Sequence, residues 1–521
     1  MAGALPVDGV PGDQVLDEIR ALRAGDAPTH GGRLFAYVYD PAVAGLDELA
    51  HAAYGLSAHV NGLDPTAFPS LLAMENALVG AAAALLGGGP VGGGSASGGA
   101  ESGAPEVVGS VTSGGTESLI LAVKAARDAR PEVTQPRMVV PASAHAAFAK
   151  AAHYLGVRVD TVPVSPVTLR PDPADVGAAI GPDTVLVACS APSYAHGVID
   201  PVEQIASLAA VAGVRCHVDA CFGGWSLPWL RRLGRPVPAF DFTVPGVTSI
   251  SVDLHKYAYT PKGVSVLLHR DPSLRRPQYF AYADWPGYTM INPGVSSTRS
   301  GGPIAAAYAV LRHLGEAGYL ALAERTMAAV DVLADAVRAT DGVRLLAEPE
   351  STVVCFTADT GGGAGDTSGV VDVFVLADEL AARGWHTQPQ MSYGDIPASI
   401  HLSVAASVAE EAPSFAPALA DAVSAAQAHG LVTVPPELAT MLAALASPGS
   451  PGSSGSSASP GTVPTPDVVG ALAGQLGLGG PAGPPLPERM AVVNTVLDLA
   501  PPGVREQLLI EFLSLLQRPS Y

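Results

Sequence analysis

The most informative residues of this chain form a segment, Ser249–Lys262, that joins an apolar run to two lysines. Its first residues predict a buried strand, and His255 and Lys256 follow where that strand ends. A lysine at such a position is poorly solvated, so we expect its pKa to fall and its amine to become a nucleophile. The segment therefore predicts a lysine that can form a Schiff base.

Two further segments carry residue types that suit a bound anion and a bound cation. Gly109–Ser118 predicts a strand, a turn with Gly114 and Gly115, and the start of a helix, whose unpaired N–H groups attract phosphate. Cys216–Gly224 places Asp219 at the end of another apolar strand, where a buried carboxylate needs a cationic partner. A phosphate cradle, a strand-end aspartate and a strand-end lysine are together the three anchor points of pyridoxal phosphate (PLP).

These segments resemble the PLP-dependent decarboxylase superfamily of the aspartate-aminotransferase fold, and within it the sphingosine-1-phosphate lyase branch. The resemblance covers about residues 33–430. It rests on five motifs: Thr112–Ser118, Ser143–Tyr154, His196–Pro201, His217–Cys221 and Gly246–Lys256. It implies an α/β protein of fold type I, with a large, mostly parallel sheet domain that binds PLP and a smaller C-terminal α/β domain. It also implies an obligate homodimer whose active sites are built from both subunits.

The resemblance assigns roles to individual residues. Lys256 forms the Schiff base, Asp219 pairs with the pyridine nitrogen, and the imidazole of His145 stacks on the cofactor ring. The residues that contact the cofactor phosphate are His255, Ser113, Gly114, Gly115, Thr116 and, from a neighbouring subunit, Thr298. The residues on the substrate side are Tyr194, Tyr39, Asn61 and Lys262, the last of which helps to bind a substrate phosphate. No metal is expected, since no histidine or cysteine cluster has metal-binding spacing.

The implied activity is that of an aldehyde-lyase, which cleaves a phosphorylated sphingoid base to a long-chain aldehyde and phosphoethanolamine. An amino-acid decarboxylase is the alternative, with Lys262 or Arg299 binding the substrate carboxylate. A third interpretation is a cofactor-bearing scaffold without turnover. Asp64 bears on the first two, because lyases of this branch usually have a histidine there for phosphate recognition, and an aspartate would repel phosphate. Asp64 would have to turn away, pair with a lysine, or indicate a different head group.

The composition limits the class of partner. The chain has 28 Lys and Arg against 48 Asp and Glu, a net charge of −20, which argues against nucleic acid and anionic membranes. The N-terminus lacks the features of a signal peptide, the longest apolar stretch (Ala77–Leu86) is too short to span a bilayer, and the four cysteines form no Cys-x-x-Cys pair. We expect a cytoplasmic protein that acts on a small substrate with a primary amine.

Strand-like and helix-like runs alternate between about residues 107 and 315, which predicts a mostly parallel sheet with helices on both faces. All three anchor segments then fall at the carboxyl ends of its strands. The expected parts are an N-terminal segment (1–75), a large PLP-binding domain (76–315) with a flexible insert (87–103), a small domain (316–430), a disordered linker (447–466) and a helical tail (467–521). Apolar spacing in the tail predicts two helices, separated at Pro501 and Pro502.

Overall fold

The computed structural model describes residues 5–89, 105–359, 369–434, 436 and 488–517. The insert expected at 87–103 lies almost entirely outside these residues, and the linker expected at 447–466 lies outside them completely. No helix within the described ranges has both the length and the apolarity needed to cross a bilayer.

The centre of the large domain is a seven-stranded sheet. Its strands in chain order are β1 (Val108–Thr112), β2 (Arg137–Pro141), β3 (Arg158–Val162), β4 (Thr184–Ser190), β5 (Arg215–Asp219), β6 (Ser249–Asp253) and β7 (Ser265–His269). They lie in the order β1-β7-β6-β5-β4-β2-β3, and all neighbours are parallel except β7, which is antiparallel to both β1 and β6. Every residue of β4 and β7 is buried, as expected for strands covered by helices on both faces.

Helices precede this sheet and alternate with its strands. They are α1 (Gly12–Leu22), α2 (Leu46–Ser57), α3 (Pro69–Leu85), α4 (Gly115–Asp128), α5 (Ala147–Leu155), α6 (Pro173–Ala179), α7 (Val202–Val211), α8 (Gly223–Arg232) and α9 (Pro272–Arg275). A hairpin of β8 (Phe280–Tyr282) and β9 (Met290–Asn292) follows them. Because α4 and α8 begin a few residues after β1 and β5 end, their N-termini lie at the carboxyl edge of the sheet, where ligands bind in this class of fold.

A long helix, α10 (Gly301–Ala339), leads from the large domain to the small one and is interrupted at Gly315, whose φ and ψ are 57° and −176°. The small domain has an antiparallel sheet in the order β10-β11-β13-β12. Its elements are β10 (Val343–Leu345), β11 (Val353–Ala358), α11 (Val373–Ala382), β12 (Gln388–Gln390), β13 (Ser399–Ser403), α12 (Val408–Glu411) and α13 (Phe415–His429). The tail adds α14 (Ala491–Leu499) and α15 (Pro502–Leu516). The predicted two-domain α/β architecture is confirmed.

The N-terminal segment is fixed to the small domain, which matters for the residues that follow it. Phe35 is fully buried and packs against Trp385 and Phe415, at centroid distances of 5.6 and 5.9 Å. The N–H of Ser403 donates to the carbonyl oxygen of Phe35 over 2.8 Å. Aromatic pairs of this kind stabilise the fold by more than the burial of their surface alone, so the chain is held firmly here. Tyr39, four residues on, is thereby positioned near the end of β6.

Candidate active site

Most of the predicted cofactor residues line a single cavity of about 360 Å³ at the carboxyl edge of the large sheet. Its walls come from the turn before α4, the loops after β2 and β4, and the ends of β5 and β6. The predicted residues that line it are Ser113, Gly114, Gly115, Thr116, His145, Tyr194, Asp219, His255 and Lys256. The fold thus brings together residues from four of the five motifs, with Tyr194 from outside them.

Lys256 lies in the turn after β6 and forms an ion pair with Asp253. Its Nζ is 2.9 Å from Oδ2 of Asp253 and 4.3 Å from the ring centroid of Phe222. Burial is the largest single influence and would lower the pKa of Lys256, but the charge and hydrogen bond of Asp253, with smaller contributions from Cys221 and Asp219, together outweigh it and the pKa is raised. The expectation that the pKa of this lysine falls is therefore wrong, because it considered poor solvation and not a carboxylate three residues earlier in the same turn.

Asp253 is a site residue that the sequence analysis missed. It is almost completely buried, and its Oδ1 accepts a hydrogen bond from the Ser265 hydroxyl over 2.5 Å. Burial would raise its pKa, but the charges of Lys256 and His255 and the bond from Ser265 lower it, so the carboxylate stays ionised. A carboxylate at the end of a buried strand, three residues before a lysine, was the signal that could have identified it.

Asp219 ends β5 and forms another wall of the cavity. Its Oδ1 accepts hydrogen bonds from the N–H of Cys221 (3.1 Å) and from the Ser251 hydroxyl (3.4 Å). Ser251 also contacts Nε2 of His217 (3.2 Å), and burial lowers the pKa of His217 to about 4, so that imidazole is neutral. Among the described residues, the groups that hydrogen-bond to the carboxylate of Asp219 are therefore uncharged. This carboxylate is suited to hold a proton on a pyridine nitrogen.

The turn before α4 approaches its surroundings so closely that only glycine fits at position 115. A Cβ on Gly115 would lie 2.7 Å from Sγ of Cys221 and 2.9 Å from both carboxylate oxygens of Asp253. Gly114 is the N-cap residue of α4 and has no side chain to cap it. The first N–H groups of a 14-residue helix, with its positive dipole end, are thus directed to the cavity and suit a phosphate.

Ser113 differs from the other residues of this turn because both of its hydrogen-bond donors are bound to Glu117. Its N–H and its hydroxyl donate to Oε2 of Glu117 over 2.6 and 2.7 Å. The other oxygen of Glu117, Oε1, accepts from the N–H of Val295 over 2.7 Å. Glu117 therefore links the turn to the segment that follows the β8–β9 hairpin, and leaves Gly114, Gly115 and Thr116 as the residues of the turn that suit a phosphate.

Two predicted substrate residues, Tyr39 and Lys262, line a neighbouring cavity of about 300 Å³ that shares His255 with the first. Nζ of Lys262 lies 4.8 Å from the ring centroid of Tyr39 and donates to the carbonyl oxygen of His255 over 3.3 Å. Lys262 is exposed overall, yet desolvation of its ammonium group and the charge of Lys256 lower its pKa to about 8. The pair offers a cation and a phenol beside the cofactor cavity.

Asn61 and Thr298 lie outside both the cofactor cavity and the cavity that contains Lys262. Oδ1 of Asn61 accepts from the N–H groups of Leu63 (3.0 Å) and Arg299 (3.3 Å), so the two predicted residues belong to one surface region. Thr298 is exposed, and neither residue lines the two cavities described above. Arg299 forms an ion pair with Glu75 over 2.5 Å. Within one subunit, then, these residues are separate from Lys256.

Asp64 caps its own turn. Its Oδ1 accepts from the N–H and the hydroxyl of Thr66, over 2.8 and 2.6 Å, and from the N–H of Ala67 over 3.3 Å. These hydrogen bonds lower its pKa although the carboxylate is fully exposed. Of the three possibilities for Asp64, the structure favours the first, in which it turns away from the cavities of its own subunit.

Tyr194 is connected to the small domain through residues that no sequence motif indicated. Its hydroxyl donates to Oε1 of Gln388 over 2.6 Å, and its ring stacks on His401 at 4.8 Å. The His145 ring meets it edge-on at 6.0 Å. Burial and, to a smaller extent, the nearby Tyr37 raise the pKa of Tyr194, so the phenol keeps its proton. Gln388 and His401 come from short strands of the small domain, which local patterns could not relate to a tyrosine so distant in the chain.

The cavity fits PLP. The N-terminus of α4 suits the phosphate, the carboxylate of Asp219 suits a protonated ring nitrogen, and the amine of Lys256 suits the aldehyde. His145 and Tyr194 add flat side chains on the same cavity. Among the residues that the structure describes, no group of three or more potential ligands could hold a metal ion.

Family comparison agrees with this geometry. Residues 28–359 match the model of the pyridoxal-dependent decarboxylase conserved domain, and residues 436–515 match that of a pyridoxal-dependent enzyme C-terminal putative HTH domain. The fold and the lysine-centred cavity define a fold-type I PLP enzyme, and the chain belongs to the PLP-dependent decarboxylase family with pyridoxal 5'-phosphate as its cofactor.

Individual relatives identify the branch. The chain is 36% identical over 411 residues to a sphingosine-1-phosphate lyase of Dictyostelium discoideum, covering 77% of this chain and 70% of that protein. The structure of a Burkholderia pseudomallei sphingosine-1-phosphate lyase is 37% identical, with a TM-score of 0.74 over 82% of this chain and 93% of that one. A Lactobacillus brevis glutamate decarboxylase, 18% identical with a TM-score of 0.69 over 81% and 95%, shares the fold. The chain is a relative of the sphingosine-1-phosphate lyases and a PLP-dependent lyase of that type.

Proposed function

We propose that the protein cleaves a phosphorylated sphingoid base of the sphinganine-1-phosphate type to a long-chain aldehyde and phosphoethanolamine. The observation that carries this proposal is the position of Lys262 and Tyr39, in a cavity that shares His255 with the cavity around Lys256. A phosphate head group bound by Lys262 would lie close to an amine that reacts at Lys256. The similarity to sphingosine-1-phosphate lyases supports the same substrate class.

The residues of the site have separable tasks in this reaction. When bound, PLP supplies the electron sink for cleavage of the carbon–carbon bond. Asp219 holds a proton at the ring nitrogen, and His145 orients the ring. Tyr194 keeps its own proton, since burial raises its pKa and its hydroxyl donates to Gln388, so we assign it an orienting role. Nζ of Lys256 lies on the same cavity wall, and only as a neutral amine, displaced from the cofactor by the substrate amine, would it accept the proton of the substrate's 3-hydroxyl.

The alternative of an amino-acid decarboxylase loses much of its support. Asp64, the residue that favoured it, caps its own turn and lines neither cavity. Arg299, one of the two cations considered for a substrate carboxylate, pairs with Glu75. Lys262 could bind either a phosphate or a carboxylate, so the chemistry of the product has to decide.

The test is a product assay on the purified, cofactor-loaded protein. It is offered sphinganine-1-phosphate and, separately, a panel of amino acids. We expect long-chain aldehyde and phosphoethanolamine from the first and no carbon dioxide from the second. Release of carbon dioxide and an amine from an amino acid, with the phosphosphingoid base unchanged, would replace the lyase by a decarboxylase. No product from either set would favour a scaffold without turnover.

Lys262→Ala should raise KM for the phosphorylated substrate by about tenfold or more, the size expected for losing a hydrogen bond to a charged group. The pKa of Lys262 is lowered to about 8, so its ammonium form, which attracts phosphate, is lost as the pH rises through that value. In the unsubstituted enzyme, kcat/KM should therefore fall above pH 8.

The measurement for Lys262 is a set of steady-state pH profiles for the wild-type and Lys262→Ala proteins. Lys262→Arg is the matched control, because it keeps the charge and should move the fall to higher pH. An unchanged KM in Lys262→Ala, or the same alkaline fall in both proteins, would remove Lys262 from head-group binding.

We further propose that the protein acts as a homodimer in which Thr298 and Asn61 contribute to the site of the second copy. Both lie away from Lys256 of their own subunit. The same region has exposed apolar side chains at Phe280, Ile291 and Val295, which favour contact with another protein surface.

Mixed dimers test this arrangement. Thr298→Ala and Lys256→Ala proteins should each be impaired alone, since each lacks one part of both sites. Random re-pairing of the two should restore roughly one quarter of wild-type activity, because half of the dimers would contain one complete site. Full activity of Thr298→Ala alone, or no recovery on mixing, would argue against a site shared between subunits.

A further inference from the structure

A third cavity, of about 370 Å³, adjoins the cofactor cavity and shares His145 and Tyr194 with it. We call it the side cavity. Its other walls come from the loop after β2, the region beyond β3, the loop after β4 and the segment after β12. Lining residues include Ala142, Val164, Ala195, His196, Met391 and Ile396. The side cavity therefore lies directly beside the cofactor cavity, with His145 and Tyr194 belonging to both.

The lining of the side cavity combines apolar side chains with polar ones that carry no formal charge, such as Ser143, Gln390 and Tyr393. No Asp, Glu, Lys or Arg belongs to it among the residues that the structure describes. Its two imidazoles are those of His145 and His196, and burial lowers the pKa of His196 to about 4, so this side chain is neutral. Transfer of hydrocarbon from water to such a surface is favourable, whereas a charged group would lose its hydration without a partner. The cavity suits an alkyl chain.

One wall of the side cavity is held by the C-terminal helix pair, α14 and α15. Oδ1 of Asp498, in the last turn of α14, accepts from both the N–H (2.6 Å) and the hydroxyl (2.9 Å) of Ser392. Ser392 lies between Met391 and Tyr393, which line the cavity. The segment after β12 begins three residues beyond Gln388, the partner of Tyr194. The side chain of Asp498 thus links the helix pair to this wall of the side cavity.

The helix pair is itself anchored on the small domain. The carboxylate of Asp378 accepts from the N–H groups of Met490 (2.9 Å) and Ala491 (2.8 Å) at the start of α14. Arg489 pairs with Glu379 over 2.6 Å. A carboxylate at a helix N-terminus satisfies unpaired N–H groups and interacts favourably with the helix dipole. The pair therefore has a defined position from which Asp498 can hold Ser392.

The charge of this C-terminal region favours an intramolecular role over nucleic-acid binding. Residues 436–515, which match the putative HTH domain, contain two basic residues, Arg489 and Arg505, and six acidic ones. Arg489 is paired with Glu379, and Arg505 donates to the carbonyl oxygens of Asp498 and Ala500. Binding to nucleic acid relies on a basic surface that contacts phosphates, which this region lacks.

We propose that the side cavity binds the hydrocarbon chain of the substrate, and that the C-terminal helix pair sets the preference for chain length by holding the cavity wall through Asp498. The inference rests on the proposed function for the identity of the chain. Asp498 is a positioning residue, because it acts through Ser392 and does not contact the cavity. The proposal gives the tail, about which the active-site motifs contain no information, a part in substrate recognition.

The experiment measures binding and so does not depend on turnover. Alkyl phosphates of increasing length, from hexyl to dodecyl, are titrated into the cofactor-loaded protein by calorimetry. For the wild type we expect each added methylene to tighten binding by about threefold to fourfold until the cavity is filled. For Asp498→Ala we expect the dodecyl compound to bind roughly tenfold more weakly, the size of about two methylenes that the loosened wall no longer covers, while the hexyl compound binds as before.

Two variants serve as controls. Asp498→Asn keeps an oxygen that can accept from the N–H of Ser392 and should restore most of the chain-length dependence. Glu506→Ala removes an exposed carboxylate from the same helix pair and should behave as the wild type. Hydrogen exchange should report faster exchange across residues 388–396 in Asp498→Ala, with the large-domain strands unchanged.

The possible results separate this inference from the proposed function. Chain-length dependence without cleavage of sphinganine-1-phosphate would overturn the proposed function and support the side cavity. Equal affinity for short and long alkyl phosphates would overturn the side cavity even if the lyase activity is present. Wild-type chain-length dependence in Asp498→Ala would remove the helix pair from substrate recognition, and so would unchanged hydrogen exchange at 388–396.

Discussion

Replacing Lys256 with alanine should abolish the visible absorbance of the lysine-bound cofactor and lower kcat by about 10³-fold or more. Removing a positioned proton-transfer group alone costs about 10²- to 10⁴-fold, and here the covalent attachment of the cofactor is lost as well. Nζ of Lys256 is held by Asp253 at 2.9 Å on the wall of the cofactor cavity. The measurement combines an absorbance spectrum with single-turnover product formation.

Lys262→Ala is the matched control for this change, since it removes a lysine six residues away in the same segment and should leave the absorbance intact. Borohydride reduction followed by peptide mass analysis should find the cofactor on the peptide that contains Lys256 in both the wild type and this control. Retained absorbance in Lys256→Ala, or a reduced adduct on Lys262, would show that the assignment of the lysine is wrong.

Asp219→Asn should lower kcat by roughly 10²- to 10³-fold while the cofactor stays bound. Removing one partner of a buried charge pair costs about 3–5 kcal/mol, and the lost partner here is the carboxylate that would keep the ring nitrogen protonated. Asparagine is nearly the same size and still accepts from the N–H of Cys221, so the end of β5 should remain in place. Steady-state kinetics and the cofactor spectrum are the measurements.

Ser251→Ala is the control for Asp219→Asn. It removes a neighbouring hydrogen bond of Asp219 but leaves the carboxylate, so its effect on kcat should be well below that of Asp219→Asn. Equal kcat in Asp219→Asn and the wild type would mean that the ring nitrogen has no charged partner in this enzyme. Loss of the bound cofactor would instead assign Asp219 to cofactor retention.

Much of the large domain could be predicted because its signals are local. The apolar run Arg137–Pro141 predicts a strand with the bounds observed for β2, and the run Thr184–Cys189 predicts one that is one residue shorter than β4. Apolar runs bounded by turn residues are reliable where the strand is buried on both faces. The split of the tail into two helices at Pro501 and Pro502 was predicted for the same reason, since proline favours the first turn of a helix and not its interior.

The parts that could not be predicted depend on contacts between distant segments. Strand β12 has three residues, one of them proline, and no periodic signal, yet it supplies Gln388 to Tyr194. The pKa of Lys256 was expected to fall from burial alone, and only the position of Asp253 shows why it is raised. Nothing local indicated that Asn61 would accept from the N–H of Arg299.

Several expectations stay predictions. The roles of the individual site residues rest on geometry and resemblance, and the experiments above address them. The domain boundaries also stay predictions, although the boundary expected after residue 315 falls where Gly315 interrupts α10. The cytoplasmic setting was expected from the cysteines and the N-terminus. All four cysteines are free and buried, which agrees with a reducing environment and does not identify one.

One carboxylate gives the site a thermodynamic property that its individual contacts do not have. Glu117 bonds the turn that faces the cofactor phosphate through one oxygen, and the segment leading to Thr298 through the other. Anything that orders the turn therefore reduces the entropy still to be lost by that segment. If a second copy contacts the segment, cofactor loading and subunit association must strengthen each other by the same factor, since a coupling free energy is reciprocal. Loss of cofactor would then loosen the assembly, and dilution of the protein would release cofactor.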